Sequence, residues 1–246
     1  QAEDGIRDVE RSRGLGDVYK RQIQNVGAYG AEVSDYLVSV RVWDRAGRCV
    51  QELSAQECDF GYRTSRFKQE PDRFVVLEVA FDVTVDESVS VTYPQLASAV
   101  GVDVGASADG VRVREAVMEL RRSKGMVLDE HDRDTWSVGS FFVNPIVSDA
   151  VSRTLPGECP RFPTPLASDE VKVSAAWLIA ASGIDRGLQL PGSGARVSTK
   201  HTLAISNTGS ATCEDVIELA RWMASRVMDR FGVELVAEPR FVGCSL

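Results

Sequence analysis

An α+β fold built on antiparallel strands is what the sequence predicts, and three observations carry it. Val38, Val40 and Val42 alternate with Ser39, Arg41 and Trp43, and Val75, Leu77, Val79, Phe81 and Val83 alternate with Glu78, Ala80 and Asp82. Period two of this kind marks strands with one buried face. Residues 111–123 and 212–231 instead repeat apolar positions every three or four residues, the spacing of one helical face. Strands come first and helices dominate afterwards, the segregated order of an α+β chain.

Taken in order, residues 1–22 set Arg7, Arg11, Arg13, Lys20 and Arg21 among acids and glycines without apolar periodicity, so no core face can be drawn. The segment is similar to a translated sequencing adapter and is expected to be a non-native leader. From Ile23 the character changes. Gly27-Ala28-Tyr29-Gly30 either lets backbone approach a flat ligand closely or forms a tight turn, and the spacing does not decide. After the first strand, Ala46-Gly47-Arg48 reads as a turn and a short strand runs to Leu53. Residues 59–68 then place Arg63, Arg66 and Lys68 among aromatics and hydroxyls. Arg63 is the natural planar fork for a carboxylate; the competing reading is a solvated loop whose arginines stack on aromatics.

Two helices are expected next, Tyr93 to Gly101 and Val111 to Ser123, the second with Val113, Ala116, Val117 and Leu120 on one face. Arg121, Arg122 and Lys124 before Gly125 complement the negative end of that helix, or else Arg121 and Lys124 grip a phosphate. In Gly139-Ser140-Phe141-Phe142-Val143-Asn144-Pro145, period two would send Ser140, Phe142 and Asn144 to one face and leave Phe141 and Val143 in the core. Ser140 and Asn144 then either serve backbone groups at a strand edge or do chemistry. The proline-rich 155–165 stretch is a loop, and a helix is expected from Ser168 or Asp169 through Trp177 to Gly183. Pro191-Gly192-Ser193-Gly194 lacks the Gly-Lys-Ser/Thr of a phosphate loop. Thr212 with Asp215 opens the last helix, Val216, Leu219, Ala220, Met223, Val227 and Phe231 line its buried face, and Gly232 ends it. Val233 to Val242 reads as one or two closing strands with Glu238 and Arg240 on one side.

Composition limits the function classes. A net charge of −8 argues against a nucleic-acid surface and leaves room only for a local basic pocket. The apolar run Ala175 to Ala181 is too short to span a bilayer, and no secretory leader is recognised, so no membrane partner is expected. Five cysteines without a C-x-x-C pair suggest reduced thiols in a cytoplasmic protein. His131 and His201 have no cysteine or carboxylate at ligand spacing, so no metal is expected.

Several stretches, in order, resemble the UDP-N-acetylenolpyruvoylglucosamine reductase (MurB) family. They are Ile23 to Gly30, Phe60 to Ser65 with Phe67-Lys68, Gly139 to Pro145, Ala176 to Ile179, Lys200-His201 and Glu238 to Gly243. The resemblance covers essentially everything from Ile23 onward. It implies the later part of a PCMH/vanillyl-alcohol-oxidase-type FAD-binding domain over 23–137 with a substrate-covering loop. An α+β substrate-binding domain over 138–236 and a closing segment over 237–246 that carries the active-site glutamate would follow. The implied reaction has NADPH reduce bound FAD, which then passes hydride to the enol ether carbon of UDP-GlcNAc-enolpyruvate.

In that scheme the resemblance makes Ser140 the proton donor, Arg63 the stabiliser of the enediolate and Glu238 a support for the same centre. Tyr29, Tyr62, Tyr93, Lys124, Asn144 and Arg240 would hold the substrate, Lys124 on the diphosphate and Tyr93 over the nucleotide sugar. Gln24, Asn25, Gly27 and Ala28 would contact the cofactor. The family's first flavin-binding half is expected before Ile23, so this chain is expected to bind FAD weakly and to be an inactive monomeric fragment. A non-catalytic UDP-sugar-binding module is the alternative. A related flavin oxidase acting on an alcohol is a third reading, and it would not need Ser140, Arg63 and Glu238 together.

Overall fold

The computed structural model describes residues 25–83, 87–162 and 169–246. The expected leader, Gln24 and the Ser168 helix start lie outside them. The chain divides into two compact units after Leu120.

The first unit opens with a hairpin of β1 (Gly27–Ala28) and β2 (Ala31–Glu32). Its tip residues Tyr29 and Gly30 have φ of 56° and 89°, the left-handed pair that a two-residue hairpin turn requires. β3 (Leu37–Asp44), β4 (Cys49–Ser54) and, after the short helix α1 (Arg66–Gln69), β5 (Phe74–Phe81) form an antiparallel sheet in the order β4-β3-β5. The alternation read from sequence is broken twice, because a bulge adds one residue and flips the phase of everything beyond it. Val38 is the extra residue opposite β5 and is 54% exposed, while Leu37, Val40 and Val42 are buried. Leu77 is the extra residue in β5 and is 50% exposed, so Phe74, Val76 and Val79 meet the core instead of the expected Val75, Leu77 and Phe81.

The rest of this unit pairs β6 (Ser88–Ser90) with β7 (Ser107–Asp109), around α2 (Pro94–Val100), and ends in α3 (Gly110–Ser123). Pro94 sits where a helix needs no N–H, and Gly101 closes α2 at φ 78°. Leu96, Ala97, Val100 and Val113 are buried with Ala116, Val117 and Leu120 against them, as the helical periodicity predicts.

The second unit holds β8 (Ser137–Ser140), β9 (Ile146–Ser148), α4 (Asp149–Thr154), β10 (Arg161–Phe162), β11 (Glu170–Val173) and α5 (Ala175–Ala181). β12 (Ala195–Val197), β13 (Ala204–Asn207) and the long α6 (Cys213–Phe231) complete it. Two three-stranded sheets run β12-β13-β8 and β10-β11-β9. Leu219, Ala220, Met223 and Val227 of α6 pack into one core with Leu178 and Ile179 of α5 and the pair Phe141-Phe142.

Three expectations fail here. The helix drawn from Asp169 begins only after Ser174, whose hydroxyl accepts from the Trp177 N–H at 3.2 Å. Glu170–Val173 is a strand instead, its β-branched Val171 and Val173 alternating with charges against β9. Val233 to Val242 contributes only the isolated bridge Phe142–Ala237, since Pro239 has no N–H for a ladder, so Glu238 and Arg240 do not share a strand face. β8 stops at Ser140: Gly139 turns the chain at φ 79°, and Phe141 and Phe142 are both buried.

Candidate functional site

The predicted site residues fall in both units, and each group is built from its own. In the first, Arg63 occupies a two-residue turn closed by the Gly61 N–H on the Thr64 carbonyl (3.0 Å) and the Thr64 N–H on the Gly61 carbonyl (3.3 Å). Its φ of 53° is costly for a residue with a Cβ, on the order of 1–2 kcal/mol. The side chain holds it there. The guanidinium donates to the carbonyls of Asn25 (3.1 Å) and Gly27 (2.5 Å) and reaches Glu32 Oε1 at 3.5 Å, while lying 5.3 Å from the Tyr62 ring centroid. With its side chain 18% exposed, Arg63 is clamped, not solvated.

Asn25 is 2% exposed and is the keystone of the same cluster. Its amide donates to Glu32 Oε2 (2.9 Å) and the Gly61 carbonyl (3.1 Å), and its oxygen accepts from the Ser34 N–H (3.0 Å). A Cβ on Gly27 would lie 2.6 Å from Glu32 Cγ and 3.0 Å from Arg63 Nη1, so any side chain there must displace Glu32. Ala28 is exposed next to it. Tyr29 meets Tyr93 edge to face, centroids 5.7 Å apart, which brings two of the predicted substrate residues together.

In the second unit Ser140 ends β8 opposite Ala204 of β13, and its Oγ lies 3.3 Å from His201 Nε2. His201 rides on the connection between β12 and β13. The buried Ser198 hydroxyl accepts from the N–H groups of Lys200 (3.1 Å) and His201 (3.2 Å), and the His201 carbonyl accepts from the Ala204 N–H (3.0 Å). Burial, then the charges of Lys124 and Arg186, push the His201 imidazole down to about 4, so it is neutral at pH 7. Lys124 follows α3, and burial together with Arg121 lowers its own pKa.

The connection is anchored from below by the buried Asp134, which accepts from the Thr199 N–H (2.9 Å) and hydroxyl and pairs with Arg196 at 3.6 Å. Burial opposes its charge, but the bonds from Thr199 and Ser198 and the Arg196 charge outweigh it and hold the carboxyl below the ordinary value. Lys200 pairs with Asp132. On the other side, residues 236–238 run beside 141–143: the Val143 N–H donates to the Val236 carbonyl (3.0 Å) and the Glu238 N–H to the Phe141 carbonyl (2.8 Å). Glu238 is therefore fixed by its backbone next to the residue that follows Ser140. Asn144 Oδ1 accepts from the Ala175 N–H at 3.0 Å and so ties the stretch to the start of α5, and Arg240 is exposed beyond it.

Sequence reasoning gave no role to His201, Arg186 or Asp134. Lys200-His201 belonged to the matching pattern, which was the available signal, but nothing in spacing places residue 201 against residue 140. Among the described residues no helix is long and apolar enough to cross a membrane.

Comparison with known proteins extends over nearly the whole chain. Residues 130–242 match the family profile described as UDP-N-acetylenolpyruvoylglucosamine reductase, C-terminal domain. A UDP-N-acetylenolpyruvoylglucosamine reductase of a Mycobacterium species is 46% identical over 248 residues, covering 98% of this chain and 70% of that protein. The one from Cutibacterium acnes is 46% identical over 226 residues, 91% of this chain, and this chain spans 59% of its length. A reductase structure of the same name from Thermus caldophilus superposes with a TM-score of 0.51 at 21% identity, covering 96% of this chain and 67% of that one.

Proposed function

Because the chain belongs to the UDP-N-acetylenolpyruvoylglucosamine reductase family, we propose that it serves the NADPH- and FAD-dependent reduction of UDP-GlcNAc-enolpyruvate to UDP-N-acetylmuramate in cytoplasmic peptidoglycan precursor synthesis. In this reading residues 23–137 are the later part of a PCMH-type FAD-binding domain, 138–236 bind the substrate, and 237–246 bring in Glu238.

The observation that carries the reading is Ser140, a hydroxyl 3.3 Å from a neutral histidine and one residue from the backbone that holds Glu238. Hydride added to the enol ether carbon leaves carbanion character beside the substrate carboxylate. Ser140 Oγ gives that carbon its proton; a serine is a weak acid, and a carbanion is basic enough to take its proton where bulk water is excluded. Arg63 stabilises the enediolate, a task that rewards a side chain already fixed before substrate arrives. Glu238 supports the same centre. Tyr29, Tyr62, Tyr93, Lys124, Asn144 and Arg240 hold the nucleotide sugar.

FAD, when bound, supplies the hydride. Gln24, Asn25, Gly27 and Ala28 would contact it; the Asn25 amide is tied to Glu32, Gly61 and Ser34, and Ala28 is exposed. The residues named above act on the substrate side of the reaction.

The reading is tested by purifying the chain with FAD, supplying NADPH and UDP-GlcNAc-enolpyruvate, and assaying UDP-N-acetylmuramate by mass. Product formation supports it and overturns the expectation of an inactive fragment. Calorimetric binding of UDP-GlcNAc by protein that holds FAD, without NADPH oxidation, would replace it with a non-catalytic UDP-sugar-binding module.

A further inference from the structure

Ser140 ends β8 and His201 lies on the connection that leads into β13, the strand beside β8, and the contact is built from both sides. Ser140 is paired with Ala204, whose N–H also closes the turn on the His201 carbonyl. The Ser198 hydroxyl and the Asp134–Thr199 bonds fix the other end of that turn. A side chain held this firmly at 3.3 Å from a hydroxyl constrains how the hydroxyl proton points. If Nε2 accepted, the Ser140 proton would lie on the line to the ring and away from any substrate. If Nε2 donates, the lone pair of Oγ faces the ring and the proton can point at the reacting carbon.

We propose that His201 is a positioning residue for Ser140: its imidazole donates from Nε2–H to Oγ, aims the hydroxyl proton at the substrate and stabilises the alkoxide left when that proton departs. The inference rests on the reductase reading above. In the step, the Ser140 O–H bond breaks and a C–H bond forms at the carbanionic carbon, with the O–H electron pair remaining on Oγ. Water later returns a proton to the alkoxide and becomes hydroxide. His201 neither gains nor loses a proton. Lys124 and Arg186, the cations whose fields reach the ring, oppose an imidazolium and so keep it from taking the serine proton for itself. The arrangement resembles an oxyanion hole with a single donor, aimed at the enzyme's own acid.

The test reads the tautomer directly. The chain contains two histidines, so ring-nitrogen NMR on 15N-histidine protein, assigned with His131→Gln, isolates residue 201. Protonated Nε2 and unprotonated Nδ1 from pH 5 to 9, with the Nε2 signal moved by Ser140→Ala, is the expected result. Protonated Nδ1 with Nε2 accepting overturns the proposal. In turnover, His201→Phe should lower kcat about 10²-fold with KM unchanged, and His201→Gln, which keeps an uncharged N–H donor, should recover most of it. Equal losses in both variants overturn the proposal, and the tautomer measurement decides if the phenylalanine variant does not fold. Wild-type protein that holds FAD and binds UDP-GlcNAc yet makes no product overturns the reductase reading and the catalytic part of this inference with it. Protonated Nδ1 in an active wild type overturns this inference alone.

Discussion

The Arg63 guanidinium donates to the Gly27 carbonyl at 2.5 Å and occupies the space a side chain at residue 27 would need. Gly27→Ala puts a methyl 2.6 Å from Glu32 Cγ and 3.0 Å from Arg63 Nη1. Overpacking of that kind costs about 1–3 kcal/mol, read as a lower urea midpoint with an unchanged slope. Substrate affinity should fall as well, because the clamp on Arg63 must open. An unchanged midpoint and affinity would show that the hairpin gives way freely.

Asp44, at the end of β3, supplies a second check. Its carboxylate accepts from Arg73 (3.1 Å), from Gln51 (2.9 Å) and from the Ala46 and Gly47 N–H groups of the following turn. The Arg73 bond, working against burial, holds its pKa down to about 2 from the ordinary 3.8. A depressed carboxylate stabilises the fold fully above its unfolded pKa and loses that contribution as pH falls through the folded one. The gap in unfolding midpoint between wild type and Asp44→Asn should therefore be constant above about pH 5 and narrow as acid is added below 3.8. A gap that stays constant down to pH 3 rules the linkage out.

The local rules were legible where one signal acted alone. The helix from Cys213 to Phe231 starts at the Thr212–Asp215 box and ends at Gly232 as its residues dictate, although Ile217 joins the buried set. Period two failed where a bulge intervened, because Val38 and Leu77 look like any other valine and leucine of a strand. Helix signals misled at Glu170–Val173, where Asp169 mimics the cap that Ser174 supplies. The setting of Ser140 among aromatics leaves a strand edge and chemistry both open, the family resemblance alone gives it a role, and neither names its partner. Residue 201 reaches it only through the pairing of β8 with β13, a long-range register that no short window of sequence contains.

Thr212 tests the helix start. Its hydroxyl accepts from the Asp215 N–H at 3.2 Å, while the Asp215 carboxylate accepts from the Thr212 N–H at 2.7 Å. Thr212→Ala removes one half of this reciprocal cap and should cost about 1 kcal/mol. Thr212→Ser, which keeps the oxygen, should cost markedly less. Chemical denaturation of both variants measures the difference, and equal losses would assign the effect to the lost methyl group.

Ser140→Ala separates chemistry from architecture at the centre of the proposed site. The hydroxyl is partly exposed at the end of β8, and alanine fits the same backbone, so stability should change little. With FAD bound, bleaching of the flavin by NADPH should be unaffected, since no proton from residue 140 enters that half of the reaction. Recovery of flavin colour on adding UDP-GlcNAc-enolpyruvate should slow by about 10²–10⁴-fold, the usual worth of a positioned general acid. In deuterated solvent the wild type should deposit deuterium at the protonated carbon with one facial preference, and the variant, drawing on water, should lose it. Two fast half-reactions with preserved stereochemistry would return Ser140 to the role of a strand-end hydroxyl held by His201.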